Sequence, residues 1–160
     1  EQNIIKAMKA NHPYEEVAHH ITLLENTYEE IGTGMSGFLK EEMSEADFLR
    51  HLQKQFGTGC IKHSQLLGKK IKKVGICGGA GSFAINDAIN CECDVYVTAD
   101  LKYHDFFEAD GKILLTDIGH YESEQFTQEL LVGLLKQKFL NFAVLKTGVN
   151  SNPVHYYQSQ

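Results

Sequence analysis

Residues 113–135 read ILLTDIGHYESEQFTQELLVGLL, and the organisation of the chain follows from how this stretch is parsed. Ile113–Ile118 is a short apolar run with the character of a buried strand. Gly119 breaks it, and from His120 onward Phe126, Leu130, Leu131 and Leu134 recur at helical spacing. The stretch is therefore strand, turn, helix, with polar residues at the junction. In open α/β sheets ligands sit outside the carboxyl ends of the strands. His120 and Glu124, four residues apart, share a face of the expected helix, while Glu122 points about 200° away. An imidazole and a carboxylate on one face at the mouth of a sheet make half of a metal site. A plainer reading stands beside it. His120 can be a surface or capping histidine, and Glu124 a carboxylate favoured by the positive end of the helix dipole. Tyr121, three residues before Glu124, excludes a capping box.

Outward from this stretch the pattern continues in both directions. The helix is expected to run from His120 to Phe139, with a last strand over Phe142–Leu145. Upstream lie a strand at Lys73–Cys77, a helix near Ser82–Ile89, a strand at Asp94–Thr98 and a helix over Tyr103–Ala109. Such alternation predicts an α/β layer, a mostly parallel sheet covered on both faces. Nearer the amino end the order changes. A helix carrying Ile4, Ile5 and Met8 ends near Pro13, followed by a strand at His20–Glu25 and a loop at Asn26–Glu30. A glycine-punctuated strand at Ile31–Lys40 precedes a helix capped by Ser44, which runs to about Gln55 and is stopped by Gly57 and Gly59. A short strand at Cys60–Ser64 completes this part, an α+β arrangement. The change of character predicts two domains, 1–65 and 66–160.

Composition narrows the function classes. Of 160 residues, 42% are hydrophobic and 22% charged, enough to bury a core. The formal net charge of -6 argues against a nucleic-acid partner, which requires a basic face. No run of 18 apolar residues is present, so no membrane span is expected. The sequence carries no signal-peptide pattern, and a cytoplasmic location is expected. The four cysteines are read as buried free thiols of a reducing compartment, and Cys91-x-Cys93 is too close for the usual zinc spacing. His19 and His20, adjacent on an expected strand, point to opposite faces and cannot chelate one ion together. Tyr156 and Tyr157 are expected to pack the tail or an interface.

Two further strand-to-helix junctions carry unusual residues. Gly78, Gly79 and Gly81 with Ser82 follow the strand at Lys73–Cys77. They allow backbone N–H groups to approach an anionic or metal-bound substrate; equally, they are a tight turn with Ser82 as helix cap. Asp100 follows the strand at Asp94–Thr98, and His104 is four residues later on the same helical face. A carboxylate on one imidazole nitrogen fixes the other for work as base, acid or ligand, whereas the commonest role for Asp100 alone is a helix cap.

Taken together, NHPYEEVAHHITLLEN (11–26), VGICGGAGSF (74–83) and DVYVTADLKYHDFFEADGKILLTDIGHYESEQF (94–126) resemble the Nif-three-like family. These are the NGG-one-interacting-factor-three relatives, often labelled GTP cyclohydrolase type 2 homologues. The resemblance implies an α/β core into which a small PII/CutA-like domain of ferredoxin type is inserted. Residues 1–65 would be most of that insert and 66–160 the C-terminal half of the core. It also implies a dinuclear centre of divalent metal ions in a cleft, zinc, iron and manganese not being distinguished. His120 and Glu124 match the family's metal-binding histidine and glutamate. Asp100 and His104 match its Asp-Leu-Lys-Tyr-His segment near the cleft, which makes them acid–base candidates; Ala99 stands where glycine is frequent. The family's other ligands, an adjacent histidine pair and an acidic residue, belong to a half of the core that these residues do not include, and His19-His20 are not that pair. The chain is thus expected to be a piece of a longer protein that by itself holds metal weakly or not at all. The implied function is metal-dependent hydrolysis of a small nucleotide-like or phosphorylated substrate, or a metal-handling or regulatory module without turnover. The implied partner is the protein itself, as a hexameric ring.

Overall fold

The computed structural model describes residues 2–22 and 31–157. Two compact units part between Ile31 and Gly32. In the first, α1 (Gln2–Asn11) buries none of its residues. His20–Thr22 have no regular structure; the rest of the strand expected at His20–Glu25 and the whole loop Asn26–Glu30 lie outside the described residues.

The second unit comprises β1 (Met35–Ser44), α2 (Glu45–Phe56), β2 (Lys62–His63), β3 (Lys70–Ala80), α3 (Ile85–Asn90), β4 (Val95–Ala99), β5 (Leu114–Asp117), α4 (His120–Glu124) and α5 (Thr127–Lys138), with 3₁₀ turns at Ser82–Ala84 and Asp105–Ala109. Its strands form one mixed sheet in the order β1-β3-β4-β5-β2. β3, β4 and β5 are parallel, and β1 and β2 close the two edges antiparallel. All five residues of β4 are buried, as a central strand covered on both faces requires. Alternation divides its side chains between two cores. Val95 and Val97 join Phe48, Leu52, Ile71 and Leu114 under α2, and Tyr96 joins Ile85, Ala88 and Leu115 under α3.

A boundary at residue 65 does not survive this topology. β1 pairs with β3 from Met35↔Ile76 to Ser44↔Lys70, and α2 supplies the apolar cover of one sheet face. Cutting at 65 would strip an edge strand and a helix from a shared core. The helix itself forms as read. Ser44 accepts the Asp47 N–H at 3.2 Å, and Gly57, at φ 64°, donates its N–H to Gln53 O.

Four further expectations are corrected. Phe142–Leu145 is not a strand, because β2 already occupies the free edge of β5. The helix from His120 is broken after Glu124, where the Gln125 amide donates to Phe56 O and the Phe126 ring packs edge-on against Phe56. Tyr103–Ala109 forms only the 3₁₀ turn Asp105–Ala109. Of the cysteines, Cys77 and Cys93 are buried but Cys60 and Cys91 are exposed. Among the described residues no helix is long and apolar enough to cross a membrane.

Candidate functional site

The carboxyl ends of β4 and β5 bring Asp100 and His120 together, although twenty residues separate them. Asp100 follows β4 with φ 55°, a left-handed conformation that aspartate tolerates better than most residues. His120 opens α4 after Gly119, whose φ of 93° is open to glycine. His120 Nδ1–H donates to Asp100 Oδ2 at 2.6 Å, and His120 Nε2 lies 3.3 Å from Glu124 Oε2. The hydrogen bond to Asp100 raises the imidazole pKa above its usual value; burial opposes this, and the charges of Asp100 and Glu124 reinforce it. Each of the three side chains is about half exposed, so solvent reaches the group.

The glycine-rich end of β3 supports this group from below. Between Ile76 and Ala80 the β3–β4 register shifts, and Gly79 within that bulge has φ 65°. A Cβ at Gly79 would stand 2.5 Å from Glu124 Oε1 and 3.4 Å from His120 Cε1, so only glycine leaves room for the carboxylate. Gly79 N–H donates to Ser123 Oγ, which in turn donates to His120 O. The Gly79 N–H is thus engaged within the protein rather than turned toward a substrate. Gly78, Gly79, Gly81 and Ser82 do not line the cleft that holds His120. Gly81 instead abuts Thr98 and Tyr96, and it, not Ser82, caps the 3₁₀ turn. The expected Asp100–His104 pairing is also absent. Asp100 turns to His120, and the His104 ring rests against Tyr103 and Phe107.

A cleft of about 590 Å³ opens beside His120 and Glu124. Sequence reasoning missed most of its inner wall. Asp117, at the end of β5, is 3% exposed; it accepts the Leu101 and Gly119 N–H groups and pairs with Lys62 Nζ at 2.6 Å. Glu122, 7% exposed, folds over Gly119, and Asn152 and Tyr156 of the tail close the far side. The position of Asp117 at a parallel strand's carboxyl end was a signal available in the sequence. The fifty-five-residue reach from Lys62 was not.

His120 and Glu124 have the chemistry of a divalent-ion donor pair, with Asp100 holding the other ring nitrogen in the manner of a carboxylate–histidine–metal arrangement. Among the described residues no group of three or more His, Cys, Asp or Glu side chains is placed to hold a metal ion. The pair therefore fits part of a coordination shell and needs donors from elsewhere to close it.

Comparison with known proteins agrees with this architecture. The model of the Duf34/NIF3 (NGG1p interacting factor 3) family matches residues 3–153. Curated relatives called GTP cyclohydrolase 1 type 2 homolog include one from Bacillus subtilis, 35% identical over 94% of this chain and 42% of its own length. Another, from Halalkalibacterium halodurans, is 33% identical over 94% of this chain and 41% of its own. A Bacillus cereus protein related to NIF3 superposes with a TM-score of 0.69 at 32% identity, over 98% of this chain and 44% of that structure. The chain thus spans about two fifths of the length of the curated relatives it matches.

Proposed function

The chain belongs to the Duf34/NIF3 family, and from that premise we propose that it supplies one side of a divalent-metal centre in a metal-dependent hydrolase acting on a small nucleotide-like or phosphorylated substrate. The observation that carries this reading is the line Asp100–His120–Glu124. One carboxylate holds Nδ1, and the second stands beside Nε2. Asp100 fixes the ring orientation and makes the imidazole a better donor. His120 and Glu124 would hold the ion, and Ser123, bonded to Gly79 N–H and His120 O, keeps the helix turn that presents them. A bound divalent ion supplies Lewis acidity and a water acidified toward neutral pH. The name of the relatives, GTP cyclohydrolase 1 type 2 homolog, supports a nucleotide-like substrate.

The two-donor set also favours a second reading, a metal-handling or regulatory module that binds without turnover. Elemental analysis of the intact protein, which supplies the donors these residues lack, and of its His120→Ala variant tests the first half of the proposal. Metal retained by the native protein and lost from the variant is expected, and equal metal in both would reject it. Release of product from a nucleotide panel by the metal-loaded protein then separates hydrolase from module.

A further inference from the structure

A second cavity, of about 270 Å³, opens between α3 and the start of β1, and it shares no lining residue with the cleft that holds His120. Sulfur dominates its wall. Cys77 of β3, Cys91 at the end of α3, Cys93 and Met35 of β1 all line it, three of the chain's four cysteines and one of its three methionines. Among the described residues its lining includes one carboxylate, Asp87, and no histidine. The backbone brings two of the thiols close together. Cys91 N–H donates to Asp87 O and Cys93 N–H to Ala88 O, while Glu92 between them adopts φ 55° and turns the chain toward β4. Cys91 is exposed and Cys93 is 5% exposed, so one thiol stands at the entrance and the other lies within. The Lys73 ammonium donates to Cys91 O. Burial raises the Cys93 thiol pKa above its usual value, and the Lys73 charge opposes that rise.

Thiolate and thioether donors select soft ions, whereas a closed zinc site asks for four donors. Among the described residues no three His, Cys, Asp or Glu side chains are placed to hold one ion, which leaves an ion satisfied by two thiolates. We propose that Cys91 and Cys93 form a binding site for a soft monovalent cation, Cu(I), with the Met35 thioether on the β1 side of the same cavity. The Cys-x-Cys spacing, too short for a zinc knuckle, suits an ion of low coordination number. Binding displaces both thiol protons to water, as thiolate coordination requires. Two thiolates and one univalent ion leave a single net negative charge, and the Lys73 ammonium beside Cys91 offsets it. The exposed Cys91 gives the ion its path in. Nothing in this site depends on the His120–Glu124 pair.

Anaerobic titration of the intact, reduced protein with Cu(I) against a chromogenic Cu(I) chelator tests it. The native protein is expected to hold one more tight equivalent than Cys91→Ser, a change at an exposed position that leaves the core untouched. Cys93→Ser should lose the same equivalent, and Cys91→Ser decides alone if that buried substitution prevents folding. Cys60→Ser removes an exposed thiol outside the cavity and should keep the full stoichiometry. His120→Ala should keep it too, which separates this site from the proposed divalent centre. Absorption spectroscopy at the copper edge should show sulfur ligands in the native protein and fewer of them in Cys91→Ser. Equal stoichiometry in the native protein and Cys91→Ser would overturn the proposal. So would loss of the equivalent in Cys60→Ser or His120→Ala, or its displacement by an equimolar amount of Zn²⁺.

Discussion

Asp100 Oδ2 lies 2.6 Å from His120 Nδ1, and this contact joins the carboxyl ends of two adjacent parallel strands. Its first consequence is a titration. Asp100→Asn retains a side chain that tolerates φ 55° but removes the charge. The His120 pKa, raised in the native protein chiefly by this hydrogen bond, is expected to fall back toward 6.5, read from the imidazole resonances across a pH series in metal-free buffer. An unchanged titration would mean the contact is not made in solution.

The same shift sets a sign for stability. A histidine whose folded pKa is raised contributes fully below its unfolded value near 6.5 and loses that contribution as pH climbs through the folded value. The melting temperature of metal-free native protein should therefore exceed that of Asp100→Asn most at pH below about 6.5. The difference should shrink as the pH passes the raised pKa. Because His120 is half exposed, the effect will be small and weakened by salt. A gap that widens at alkaline pH would contradict the assignment.

Gly79→Ala removes no metal donor, yet the added Cβ would stand 2.5 Å from Glu124 Oε1. With φ 65° also disfavoured for alanine, a loss of about 1–3 kcal/mol is expected from urea unfolding. Metal uptake should drop as well, because Glu124 must turn away. Full metal binding in a folded Gly79→Ala protein would show that Glu124 is not positioned by this glycine.

Glu45 is 5% exposed and accepts the N–H groups of Leu67 and Gly68 at 2.8 and 2.9 Å, fastening the loop before β3 to the start of α2. Glu45→Ala leaves two donors without an acceptor and should cost about 1–3 kcal/mol by chemical denaturation. No change in unfolding midpoint would show that water replaces the carboxylate freely.

Leu130, Leu131 and Leu134 of α5 are 63%, 52% and 53% exposed. An apolar stripe of this kind is expected to drive self-association. Light scattering across a concentration series should show association for the native protein and a smaller species for Leu130→Glu with Leu134→Glu. Identical masses would place any interface elsewhere.

Periodicity made the framework of the second unit readable. The run at 113–118 and the capped helix after Ser44 both announce themselves locally, and both form nearly as read. What could not be read was set by partners distant in sequence. β1 and β2 look like parts of a separate α+β unit until their edges are paired with β3 and β5. Helical spacing through Gln125 and Phe126 is intact, yet Phe56 takes both side chains and ends the helix. At the site, the joint use of His120 and Glu124 follows from spacing four. Spacing along the chain offers His104 to Asp100 as its imidazole, whereas the carboxylate turns to His120, distant in sequence and near in space. Helical geometry turns Glu122 away from His120, yet both line the same cleft.

Asp117 lies beneath the two loops that carry the site. Its carboxylate grips the amide of the residue that follows Asp100 and the amide of the residue that precedes His120. One side chain thus works as a caliper, setting the gap between imidazole and aspartate without touching either. Damage there would leave every reactive group in the cleft chemically whole and still uncouple the pair, so inactivating changes at this strand end could be mistaken for loss of a participant in the chemistry.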